Sequence, residues 1–289
     1  MAEELPSRRR FLGTAVAAGG AAWVAPSVLS LDAAAAATCL PPTPLGSRQS
    51  KADGSAGGTV TITIPVPSGA DPPIPTAGTN VAHVAIVNID HIKGVALPSA
   101  VPVEPGWTQL GSYDSDVTTP GSNGAGSTGQ WSQRVVVFAR TSGLLSAYQF
   151  SVTLTGNGVY TPQARVVVAA YQHVRSVAND PGELAMQGSG LLDPTLPPPP
   201  SNLSPIPAIT TNRASTVALA FTGAGNVSSS NTEVAPAGYT LDIAANDGLG
   251  YPPIFVFRRS VTGPGTIPAT TGTVLPGAQN VGGQLSLEC

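Results

Sequence analysis

RVVVFAR (134–140), YQFSVTL (148–154) and ARVVVAAYQHV (164–174) are three apolar runs joined by TSGLLSA and TGNGVYTPQ. Valine, phenylalanine and tyrosine dominate them, their lengths suit strands, and Gly, Ser, Asn and Pro mark the connections. The middle run alternates, with Tyr148, Phe150, Val152 and Leu154 on one face and Gln149, Ser151, Thr153 and Thr155 on the other. One face of that strand is therefore dry and the other wet. The outer two runs are apolar almost throughout, which places them inside a layered structure rather than at its edge. The three together predict a meander at the centre of a sandwich core.

Working outward, GTVTITIPV (58–66) alternates Val60, Ile62 and Ile64 against Thr59, Thr61 and Thr63, and NVAHVAIVNI (80–89) reads as a further strand. Residues 39–57 are rich in Pro, Ser and Gly and predict an extended N-terminal arm; residues 117–131 predict a glycine-rich loop. A connection over 179–205 carries the proline run 197–200 and predicts a stiff, extended segment. Beyond it the chain echoes itself. STVALAFTG (215–223) matches NVAHVAIVN, PAGYTLDIA (236–244) matches PGWTQLGSY (105–113), PIFVFRRSVTG (253–263) matches RVVVFARTSG, and the closing VGGQLSLE matches ARVVVAAY. The chain therefore divides into a leader, 1–38; an arm, 39–57; and one β domain, 58–289, made of halves 58–178 and 206–289 around the connection 179–205. A half with so few large apolar residues buries little core by itself.

Composition narrows the function classes. The chain has 289 residues, 10% charged, with 33 Gly, 29 Pro and a net charge of −3. An average soluble domain has roughly 25% charged residues. No basic stripe follows the N-terminus, which argues against a nucleic-acid partner. SRRRFLG (7–13) fits the twin-arginine export pattern through Arg8, Arg9, Phe11 and Leu12, and is followed by a mildly apolar run and a string of alanines. The expected address is the cell exterior or surface, with no membrane span after cleavage. Acylation of Cys39 would make a lipoprotein, but the residues before it fit that pattern poorly. Two cysteines, Cys39 and Cys289, bracket the domain. In an oxidising compartment a disulfide between them is the natural reading, stabilising by on the order of 5 kcal/mol in the chain-entropy model.

The strand order and the motifs PGWTQLGSYDS, RVVVFARTSG, AYQFSVTLTG, VVVAAYQHV, STVALAFTG, PAGYTLDIA and FVFRRSVTG resemble a family of concanavalin-like, jelly-roll sandwich modules. Such modules occur in exported actinobacterial proteins and in tail proteins of their phages. The resemblance spans roughly 59–288 and implies an all-β fold, a two-sheet antiparallel jelly-roll sandwich of about ten to twelve strands built from two similar halves. It transfers no catalytic residues.

Candidate chemistry is sparse. His83, His91 and His173 have no ligand spacing, so zinc is disfavoured. No GxSxG is present, and QGSG (187–190) is a weak look-alike. Asp114 and Asp116 share one face of a strand end beside a loop, with Asp242 and Asp247 near the repeat-related place. Solvated turn acids, a calcium site and a catalytic pair are the three readings of these carboxylates. Trp107 and Tyr239 hold repeat-equivalent positions and read as packing residues, whereas Trp131 has no repeat partner. For a sugar-stacking ring Trp131 is the first choice, with Tyr113 and Tyr251 behind it. The sequence thus points to a non-catalytic, exported sandwich acting through its surface on envelope components, glycans or copies of itself. A carbohydrate-binding module and an extracellular polysaccharide hydrolase or lyase are the alternatives.

Overall fold

In the computed structural model the described residues are 40–66, 80–92, 96–114, 131–141, 148–159, 161–174, 176–177, 203–206, 208–211, 215–225, 232–246, 251–275 and 278–289. They form strands and turns with no helix. In the first half the strands are β1 (Thr43–Asp53), β2 (Thr59–Val66), β3 (Val81–Ile92), β4 (Ser99–Pro102), β5 (Thr108–Asp114), β6 (Trp131–Arg140), β7 (Tyr148–Thr155) and β8 (Gln163–Gln172). The second half takes β9 (Ser176–Val177) from the end of the expected first half, because it pairs with β18, and β10 (Leu203–Ile206) from the expected connection; it also holds β11 (Ile209–Thr211), β12 (Ser215–Gly225), β13 (Thr232–Val234), β14 (Thr240–Ala245), β15 (Ile254–Thr262), β16 (Gly265–Ile267), β17 (Thr270–Leu275) and β18 (Ala278–Glu288).

All ladders are antiparallel, and each joins strands of one half only. The first half has a five-stranded sheet ordered β1-β8-β3-β6-β5 and a three-stranded sheet ordered β2-β7-β4. The second has β9-β18-β12-β15-β14 and β10-β17-β13, with β11-β16 as an added pair. Setting β11 and β16 aside, the two plans are the same strand for strand. Register repeats as well: His83 pairs with Arg140 as Ala218 pairs with Arg259, and Asn88 with Val135 as Gly223 with Ile254. Even the bulge recurs, between Gln109 and Gly111 in β5 and between Leu241 and Ile243 in β14.

Burial explains the stacking. β3, β6 and β8 are apolar on both faces, so their sheet needs a partner on each side. One face, carrying Ala85, Val87, Val136, Phe138, Val166 and Val168, packs against Ile64, Tyr148, Phe150, Val152 and Leu154 of the three-stranded sheet. Its other face, with Val84, Ile86, Val135, Val137, Val167 and Tyr171, packs against Val217, Leu219, Phe221, Val256, Leu285 and Leu287 of the second five-stranded sheet. The back of that second sheet, through Ala218, Ala220, Phe255 and Phe257, meets Ile206, Ile209 and Ile267. Each large side chain so buried contributes about 1.5–3 kcal/mol before ordering costs.

Several expectations change. Among the described residues, eighteen strands in five sheets replace the ten to twelve strands in two sheets, because strands apolar on both faces require layers on both sides. The three opening runs do not form a meander: β7 belongs to the small sheet, and β6 and β8 flank β3. The dry and wet faces of β7 are as expected, alternating buried and half-buried along Tyr148–Thr155. Most of the expected N-terminal arm is a strand, β1, paired with β8 from Thr43 to Asp53. Its apolar content is low because an edge strand draws its stability from the ladder.

Candidate functional site

Polar side chains inside strands buried on both faces mark the place to look. Asn88, Asp90 and His91 of β3, Gln133 of β6 and Arg165 of β8 are all at most 3% exposed. Register brings them together, since Asn88 pairs with Arg165 and Asp90 with Gln133. Asn88 and Arg165 point toward the second half. Asn88 Nδ2 donates to the carbonyl of Pro253 at 2.8 Å, and Gln133 Nε2 donates to Asn88 Oδ1 at 2.7 Å. Arg165 Nε donates to the carbonyl of Pro252 at 3.0 Å, and its Nη1 donates to Gln49 Oε1 at 2.8 Å. Pro252 and Pro253 are buried. Buried carbonyls need donors, and consecutive prolines at the entry to β15 sit outside its ladder, so side chains of the first half supply them. A Cβ on Gly223 would lie 2.8 Å from Asn88 Nδ2, so glycine is what admits the amide.

Around this core lies a second ring of contacts. Tyr251 donates its hydroxyl to Asp53 Oδ2 at 2.7 Å, and Lys51 Nζ stands 4.3 Å from its ring centroid. Gln163 Nε2 donates to the other oxygen of Asp53 at 3.0 Å. One edge of the first five-stranded sheet is thereby sewn to the segment leading into β15.

The expected site residues distribute as follows. Tyr113 and Asp114 end β5 and Trp131 begins β6, and the ladder pairs Tyr113 with Val135 and Asp114 with Arg134. Backbone placement therefore gathers these three at the same end of the sheet as Asp90, His91 and Gln133. Their side chains lie outside the described residues, as do Asp116, Asp247, Cys39 and the export residues Arg8, Arg9, Phe11 and Leu12. Tyr251 is half-buried, with Lys51 on its ring and its hydroxyl occupied. Among the described residues no three of His, Cys, Asp and Glu cluster as metal ligands. Among the same residues no helix is long and apolar enough to cross a membrane. Cys289 is 6% exposed.

Asp242 sits at the bulge of β14, at the place Leu110 takes in β5. Leu110 packs on the core between the halves; Asp242 instead accepts from the Tyr171 hydroxyl at 2.9 Å and approaches Arg258 Nε at 3.6 Å. Burial, and then the neighbouring carboxylate, hold the Tyr171 phenol well above its ordinary range. Trp107 and Tyr239 are packing residues. Trp107 meets Phe150 edge-on at 5.5 Å, and Tyr239 donates to Gln284 Oε1 at 2.5 Å inside the second half.

Sequence reasoning passed over Asn88, Gln133 and Arg165. The available signal was a charged or amide residue in a run apolar on both faces, where no solvent-facing side exists to receive it.

No family model, curated protein or solved structure matches the chain.

Proposed function

We propose that this chain is an exported, non-catalytic β protein made of two jelly-roll sandwiches packed back to back, acting through its surface as an envelope-associated, adhesive or assembly-forming module. Support for the jelly-roll assignment comes from the strand orders β1-β8-β3-β6-β5 and β2-β7-β4, in which consecutive strands alternate between two facing sheets except at the adjacent pair β5 and β6, and from their repetition in the second half. The observation that carries the functional reading is the use made of the buried polar side chains between the halves. Asn88, Arg165 and Tyr171 all reach across to the opposite half, binding Pro253, Pro252 and Asp242 in turn. These groups hold geometry rather than present chemistry. Export by the twin-arginine route and a Cys39–Cys289 bond belong to the same proposal.

The decisive experiment is surface display and purification of the mature protein, followed by binding to intact cell envelopes and by sizing in solution. Retention on envelopes, or concentration-dependent assembly, is expected. A protein that stays monomeric and binds no envelope fraction overturns the reading. A carbohydrate-binding role draws on one specific placement, the gathering of Trp131 and Tyr113 at one sheet end. Glycan-array binding abolished by Trp131→Ala would favour it.

A further inference from the structure

Because the halves share one plan, each buried position of the second can be compared with its counterpart in the first. On the face of the five-stranded sheet turned toward its own small sheet, Val87, Val166, Val168 and Ala170 of the first half correspond to Thr222, Gly282, Gln284 and Ser286 of the second, by their ladder partners. The facing small sheets differ in the same sense. The inner positions of β7 are Tyr148, Phe150, Val152 and Leu154, all at most 1% exposed, whereas β17 offers Gly272. On β10, Ser204 is fully buried beside it, paired with Gly272. The first interior is mainly apolar, with His83 set on Tyr148, whereas the second mixes the apolar Ile206, Phe255, Phe257 and Ile267 with the polar Thr222, Gln284, Ser286 and Ser204.

Glu233 is the one carboxyl in this interior region of β13, set between an exposed Thr232 and an exposed Val234. It points inward, accepting from Thr222 Oγ1 at 3.3 Å through Oε1, while Oε2 and the Ser204 hydroxyl are buried without a protein partner. Among the described residues, the elements packed around it bring no charge. β10 (LSPI), β12 (STVALAFTGAG) and β17 (TTGTVL) contain no titratable side chain. Glu288 of β18 pairs with Thr216, at the other end of β12 from Thr222. On β15, Arg258 approaches Asp242, and Arg259 lies over Tyr239.

We infer that Glu233 is a protonation switch built into the second sandwich: neutral, it lets the sheet β10-β17-β13 close on β12, and ionised, it loosens that sheet while the first sandwich stays shut. Burial is the main cause of a carboxyl pK pushed up to about 8, partly offset by the Thr222 hydrogen bond. The sign follows. Unfolded, the group loses its proton near its ordinary value of 4.5; folded, it keeps it until about pH 8. Between those values the native state binds the extra proton, so this contribution to stability is full at low pH and falls as pH rises through the window. An ionised carboxylate lacking a cation inside a sandwich draws in water, and the local sheet, only three short strands wide, is the element that gives way.

The inference goes beyond the proposed surface role and does not depend on it. Its test is hydrogen exchange on the full-length mature protein at pH 6 and pH 9.5, with intrinsic rates corrected. Protection in β10, β13 and β17 should fall by about tenfold or more relative to β2, β4 and β7, tenfold being what one unit of pK shift commands. Glu233→Gln should abolish the difference while β2, β4 and β7 report that the chain is folded. Carboxyl carbon NMR of the unaltered protein should place the Glu233 midpoint near 8. A midpoint near 4.5, equal protection in the two small sheets across pH, or a loss that persists in Glu233→Gln overturns the inference.

Discussion

The hydroxyl of Tyr171 donates to Asp242 across the two halves at 2.9 Å, and the repeat-equivalent of Asp242 is Leu110, which packs on the same core. One position of the plan thus serves as a hydrophobic plug in the first half and as an acceptor in the second. Asp242→Leu alone leaves the buried Tyr171 hydroxyl without that acceptor, with an expected cost of about 1–3 kcal/mol. Adding Tyr171→Phe should recover most of the loss. Urea unfolding of the two variants checks this, and a double variant no better than the single contradicts the pairing.

Gly106 and Gly238 open the same turn in the two halves at φ values of 93° and 82°. Each lies under the guanidinium of the equivalent arginine, Arg140 and Arg259, with a new Cβ 3.1 Å from the first and 3.7 Å from the second. Gly→Ala at either site incurs the left-handed backbone cost of about 1–2 kcal/mol. Gly106→Ala should be the worse of the two, because it also displaces Arg140 from the Pro105 carbonyl that it holds. Equal losses in thermal melts would show that the arginine contact is immaterial.

Gly223→Ala should destabilise by about 1–3 kcal/mol through overpacking against Asn88. Asn88→Ala costs a similar amount by leaving the Pro253 carbonyl buried and unbonded. The pair should be coupled: in the double variant the clash is gone, so its loss is less than the two singles added. Additivity in denaturant titrations would mean that the two residues do not share the space.

Under the proposed Cys39–Cys289 pairing, reductant or Cys289→Ser should lower stability by about 2–5 kcal/mol. Non-reducing alkylation that tags both cysteines of the folded protein would remove the pairing.

The fold was legible where period and composition spoke together. YQFSVTL gave the wet and dry faces of β7 directly, and the echo of RVVVFARTSG in PIFVFRRSVTG anticipated a duplication that extends to register and bulges. What escaped was the stacking. Strands such as ARVVVAAYQ, apolar on both faces, signal cover on each side without naming it, and here the cover is a small sheet on one face and the other half on the opposite face. β1 escaped because Gly46, Ser47, Arg48 and Gln49 have loop composition, and only the β8 ladder extends them. At the candidate site, Tyr113 and Asp114 end β5, whereas Trp131, read from the sequence as the last residue of the glycine-rich loop, begins β6. Arg165 and Asn88 were invisible as a pair because sequence does not show that two prolines of the second half lie opposite them.

The asymmetry of Asn88 and Gly223 bears on partner choice. Two first halves from different molecules, meeting through their five-stranded sheets, would bring one asparagine amide against another in room sized for a hydrogen atom. Two second halves would leave a gap and four proline carbonyls without donors. Only unlike halves fit, so the surface between them selects a second half for a first half and rejects pairing of like with like.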